Sequence, residues 1–197
     1  ELILERLEPF IGKTDEELSR MFGVDTKAKN KHALLVSRML GSKKRNVAEF
    51  EKADIKVKTV RLQKSGKPQQ SMSFPAFKYM DIIDQEWEES IFFDALEKKF
   101  FFAVFQYDQH DELRFKKGVF WNIPYADLQE AKRVWTEAKK RVRNNNYGDL
   151  PKIRDSKVAH VRPHGSNAAD TYLTPDGKSA TKKCFWLNAG YIAEQVR

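Results

Sequence analysis

The stretch Glu49–Lys58, EFEKADIKVK, sets a glutamate, six intervening residues and then a Lys-x-Lys pair. Within it Ile55 and Val57 alternate with Lys56 and Lys58, the period-two pattern of a strand with one face buried and both lysines on the other. Upstream, GKTDEELSRMFG offers Thr14 and Glu17 as a capping box, Leu18, Met21 and Phe22 as an apolar stripe, and Gly23 as a stop, which predicts a short helix. KHALLVSRMLG repeats that logic with Leu34, Leu35, Leu40 and Gly41, and the polar SKKRN joins it to the strand. Downstream, QKSGKPQ reads as a turn and SMSFPAF as a returning strand that Pro75 limits.

Farther along, Trp87, Ile91 and Ala95 recur every four residues and predict a helix over 84–96. KFFFAVFQY follows as a buried central strand with GVFWNI as its partner. In YADLQEAKRVWTEAKKRVR, the residues Leu128, Ala131, Trp135, Ala138 and Val142 predict an amphipathic helix with a cationic outer face. NNNYG ends it, and a polar, flexible passage is expected over 144–155. A turn at TPDG and a strand-to-helix segment, KKCFWLNAGYIAEQ, close the chain. With no internal repeat and no strict βαβ alternation, the fold class is α/β in the mixed α+β sense, a mixed central sheet flanked by helices. One domain over 1–197 is expected, with lobes at 1–143 and 156–197.

The 197 residues are 41% hydrophobic and 12% aromatic, too apolar for disorder. No run of about eighteen apolar residues is present to cross a bilayer, so a soluble protein with no membrane partner is expected. Cys184 is the single cysteine, which excludes intrachain disulfides and multi-thiolate zinc sites and fits a cytoplasmic location. His32, His110 and His160 are scattered and His164 has no evident catalytic partner, which argues against a zinc site or a Ser-His-Asp triad. Net charge is +8; residues 1–131 carry 22 basic and 22 acidic side chains, and residues 132–197 carry 14 and 6. Excess cation confined to the last third points toward a polyanion such as nucleic acid. The chain begins with Glu1 and not with methionine, which suggests a piece of a longer polypeptide.

Four segments, taken in order, resemble the MutH and Sau-three-AI type endonucleases, which share a GATC target and the PD-(D/E)xK nuclease fold. They are GKTDEELSRMFGV, LLVSRMLG, EFEKADIKVKTVRL with SGKP, and VRPHGSNAAD with TKKCFWLN. The resemblance implies a two-lobed, restriction-endonuclease-like domain around a DNA cleft. It also implies that the catalytic positions are degenerate here. Glu49 stands for the first metal-binding aspartate, Lys56 for the second carboxylate, Lys58 for the motif lysine, and Ser37 for a glutamate on the preceding helix. A further family lysine falls near Ala95. Hydrolysis in such a site needs carboxylates to hold the metal that activates water, so a lysine at the second position opposes it. Asp54 and Glu51 are the nearest carboxylates available for a displaced site.

Positions matching the family's DNA contacts are better preserved. Arg162, His164, Ser166 and Asn167 resemble its base-reading loop, where Arg and Asn suit guanine and adenine edges, although a lysine usually stands at the place of His164. Lys182 and Lys183 resemble a phosphate-contacting pair, and Gln70 and Ser71 a contacting loop; with Lys56 and Lys58 these complete the expected DNA-binding set. The resemblance is greatest to the C-terminal, non-catalytic relative within a Sau-type enzyme. It implies double-stranded DNA, a catalytic MutH-like domain in the same polypeptide and a dimer on DNA as partners. No metal or cofactor is expected for this domain, and Mg for the parent endonuclease. The alternatives are an active Mg-dependent GATC endonuclease or nickase, and a basic RNA- or protein-binding scaffold.

Overall fold

The computed structural model describes residues 2–43 and 47–197, so Lys44, Arg45 and Asn46 of the SKKRN segment lie outside the described residues. In chain order the elements are α1 (Leu2–Glu5), α2 (Asp15–Phe22), α3 (Lys31–Met39), α4 (Ala48–Lys52), β1 (Ile55–Leu62), β2 (Met72–Phe77), α5 (Tyr79–Ile82) and α6 (Ile91–Glu97). There follow β3 (Lys99–Tyr107), β4 (Leu113–Trp121), α7 (Tyr125–Arg143), β5 (Ala159–Pro163), β6 (Thr171–Leu173), β7 (Ser179–Thr181), β8 (Lys183–Leu187) and α8 (Ala189–Gln195). The chain divides into two compact units, one of Glu1–Gln69, Lys98–Asn122 and Ala193–Arg197, the other of Gln70–Glu97 and Ile123–Ile192.

In the first unit β3 lies between β1, to which it is parallel, and β4, to which it is antiparallel. The uninterrupted apolar run Phe100–Phe105 is buried on both faces, as a central strand requires. Over one face pack Leu18 of α2, Leu35, Val36 and Met39 of α3 and Phe50 of α4, against Phe101, Ala103 and Phe105. The capping box forms as read, with Thr14 Oγ1 accepting from Glu17 N at 3.0 Å and Glu17 Oε2 accepting from Thr14 N at 2.7 Å. Gly118 is needed for close approach, since a Cβ there would lie 2.4 Å from the ring of Phe101.

In the second unit β8 is central between β2 and β5, all antiparallel, and β6 and β7 form a hairpin closed by the TPDG turn. Phe92 stacks on Phe185 at 4.5 Å, and Phe77 tilts against the same ring at 5.2 Å. Along α7 the residues Ala131, Val134, Trp135, Ala138 and Val142 are buried.

Three expectations are corrected. Strands β1 and β2 do not pair; β2 joins β8 at the edge of the other sheet, with Pro75 inside its register irregularity, where a missing N–H costs least. The mixed α+β class stands, but the strands form two three-stranded sheets and a hairpin, not one central sheet. The helix over 84–96 is broken: a 3-10 turn at Trp87–Glu89 stops at Ser90, whose hydroxyl donates to Trp87 O and accepts from Phe93 N. Helix α6 starts afresh there, so Trp87, Phe92 and Leu96 are buried while Ile91 is exposed. Within 144–155 Leu150 and Pro151 are buried, Val161 N donates to Pro151 O at 2.8 Å, and Lys183 Nζ donates to Tyr147 O, while most of the other side chains are exposed. Among the described residues no helix is long and apolar enough to cross a membrane.

Candidate functional site

Strand β1 presents Ile55 and Val57 to the core of the first unit, which leaves Lys56 and Lys58 on the opposite face. Just before the strand Asp54 takes a left-handed conformation, φ 50°. Its carboxylate turns to two ammonium groups, Lys98 at 2.7 Å and Lys56 at 2.9 Å. Those contacts, Lys98 first, hold the Asp54 carboxyl below the usual carboxylate range. Lys58 is half-buried, has no ion-pair partner among the described residues, and has its pKa pushed down by burial.

Of the ladder positions, Lys56 alone is bonded to the Asp54 side chain among the described residues. Glu49 is exposed on α4, with Arg6 at 3.7 Å from its carboxylate. Ser37 is buried on α3, and Glu51 is exposed on α4. Ala95 lies on α6 in the second unit. Among the described residues no three His, Cys, Asp or Glu side chains gather as a metal-binding group. A divalent ion does not fit beside Asp54, because two ammonium groups already neutralise both its oxygens and would repel it.

In the second unit the loop after β5 carries the other candidates. His164 N donates to Lys182 O at 2.9 Å, and Lys182 N to Asp170 O at 3.0 Å. Asp170 Oδ2 accepts from Ser166 N at 3.0 Å and from Ser166 Oγ at 3.3 Å, while its Oδ1 takes Lys182 at 2.5 Å. Asn167 Oδ1 accepts from Ala169 N at 2.9 Å, a local turn that leaves its amide exposed. Arg162 and His164 are exposed beside Trp186, with the guanidinium carbon 3.9 Å from the ring centre and the imidazole edge-on at 5.9 Å. Below them His160 is buried with Nδ1 2.6 Å from Asn188 Oδ1, and burial depresses its pKa.

Several paired expectations separate. Lys182 is taken up by Asp170 and lies over the Tyr172 ring, whereas Lys183 is turned to the Tyr147 carbonyl, so the two do not form an exposed cationic pair. Ser71 Oγ accepts from Ala189 N at 3.1 Å and so serves the start of α8, while Gln70 is exposed. On α7 most of the cations are committed, Lys132 to Glu88, Arg133 to Glu130, Arg141 to Glu137 and Asp149, and Lys139 and Arg143 to the carbonyls of Gln85 and Ile83, while Lys140 is exposed with no side-chain partner among the described residues. The contributions of Lys98, Asp170 and Trp186 were not read from sequence. Trp186 had a signal, two residues from Cys184 on an alternating strand, but its partners depend on β5 pairing with β8.

No family model matches the chain. It is 28% identical over 250 aligned residues to the type II restriction enzyme Sau3AI of Staphylococcus aureus, a match that takes in 100% of this chain and 50% of that protein. The chain is a relative of Sau3AI. It spans about half the length of Sau3AI, and the matched half is the C-terminal one. The relationship read from four short segments thus runs along the whole chain.

Proposed function

We propose that this chain is a double-stranded DNA-binding domain of the PD-(D/E)xK architecture, non-catalytic in itself, acting as the effector domain of a type II restriction endonuclease. The observation that supports the reading is the pair of ammonium groups, Lys56 and Lys98, on Asp54: Lys56 stands, by resemblance, for a metal-binding carboxylate, and the nearest carboxylate beside it is already neutralised by cations. Similarity to Sau3AI, a type II restriction enzyme, supports DNA as the ligand, and the resemblance to the MutH and Sau-type endonucleases makes GATC the sequence to try first. Arg162, His164 and Asn167 are the exposed groups suited to base edges, and Lys58 is the cation best placed by its lack of a partner to take a phosphate. Cutting, and the Mg it uses, then belong to a catalytic MutH-like domain of the same polypeptide. Occupancy of a second DNA site here would favour cleavage there, by looping or dimerisation.

The test is titration of the chain with GATC and scrambled duplexes, with and without Mg. Selective binding without cleavage is expected. Cleavage that disappears in Glu49→Gln would overturn the non-catalytic reading, and equal affinity for both duplexes would point to a general polyanion scaffold.

A further inference from the structure

We infer that Trp186 is a positioning residue for Arg162, holding its guanidinium at one guanine in the major groove; the inference rests on the DNA-binding reading above. In the β5–β8 register His160 stands opposite Trp186 and Arg162 opposite Cys184, so the three side chains His160, Arg162 and Trp186 share one face of the sheet. The Arg162 guanidinium carbon lies 3.9 Å from the centre of the indole ring, a cation–π stack, yet the arginine itself is exposed. Stacking engages the flat face of the guanidinium and leaves the N–H groups around its rim available, and those are what a guanine O6/N7 edge accepts. An unsupported surface arginine would lose rotamer freedom on binding, a cost that the indole removes beforehand.

The platform is itself fixed. His160 lies nearly parallel to Trp186, with centroids 6.4 Å apart and planes 20° apart. Asn188 Nδ2 donates to Ser156 O at 2.7 Å, which points Asn188 Oδ1 at His160 and makes His160 Nδ1 the donor in their 2.6 Å bond. His164 closes the edge of the indole at 73°. Among the described residues Arg162 makes no ion pair, so the ring is the contact that sets its direction.

The experiment measures the affinity of the full chain for a GATC duplex and for the same duplex with 7-deazaguanine, which lacks the N7 acceptor. The parent chain should prefer guanine by roughly tenfold, the low end of what a bidentate contact gives. In Trp186→Leu that ratio should fall toward one while the salt dependence of binding, set by phosphate contacts, stays unchanged; Trp186→Phe, which keeps a ring, should restore most of it. Should the leucine variant fail to fold by circular dichroism, Trp186→Phe and Trp186→His decide, with a ratio graded by ring size expected. A ratio unchanged in every folded Trp186 variant, with both affinities lowered alike, would overturn the positioning role and leave Trp186 a packing residue. No binding of either duplex by the parent chain would instead overturn the DNA-binding reading, and this inference with it.

Discussion

Under the proposed function Lys58 would serve a partner at the expense of the fold. Burial lowers its pKa, and no carboxylate among the described residues offsets the desolvation of its charge. Lys56, two residues earlier, is exposed and paired with Asp54, so it costs the fold little and offers a ligand less. Lys58→Met should therefore stabilise the isolated chain by about 1 kcal/mol, because a poorly solvated cation becomes an apolar side chain of similar length. The same variant should weaken duplex binding and reduce the slope of log affinity against log salt by about one, as for one lost phosphate contact. Denaturant melts and salt titrations read the two effects separately; a less stable variant with unchanged affinity would show that Lys58 serves packing through its stem.

At the scale of elements, α7 is the instructive case. Its sequence was read as an amphipathic helix with a cationic outer face, and the helix and its stripe are present. Several of its cations, however, hold neighbouring chain in place. Lys139 and Arg143 donate to the carbonyls of Gln85 and Ile83 between α5 and α6, and Arg141 donates to the Asp149 backbone after the helix end. A charge run counts side chains but not their partners, which lie up to 60 residues away in sequence. Arg143→Ala should thus lower stability by about 1 kcal/mol, through loss of its two exposed hydrogen bonds to Ile83 O, and leave the affinity and salt slope for DNA unchanged. A clear drop in the salt slope would return α7 to the binding surface.

For the whole molecule the charge arrangement sets a two-step acid response. Burial depresses the His160 pKa below 6.5, so below that pH the unfolded chain binds a proton that the folded chain resists. Stability is full above pH 6.5 and falls as pH drops through the folded value. Asp108, bonded to Arg114, and Asp176, bonded to Thr174, have carboxyl pKa values of about 2 against 3.8. Their contribution is complete above pH 3.8 and is lost as pH falls through about 2. Thermal melts from pH 8 to 2 should show both steps, and His160→Gln should abolish the upper one while keeping the lower; a melting temperature flat from pH 7 to 5 would contradict the assignment.

The sequence by itself determined the local elements and the kinship. The capping box at Thr14, the stop at Gly23, the apolar run of β3, the stripe of α7 and the TPDG turn depend on neighbours within a few residues, so their letters suffice. Through the resemblance, Lys56 also marked a carboxylate position of the family as taken by a cation. Only the tertiary structure decided which cations are spent and which are free, that β2 leaves β1 for β8, and that Trp186 lies under Arg162. Pairings across tens of residues depend on strand register and on burial, and neither is encoded in the spacing of any one segment. For that reason EFEKADIKVK could be read as a strand from its alternation, while the capture of Asp54 by Lys98 could not.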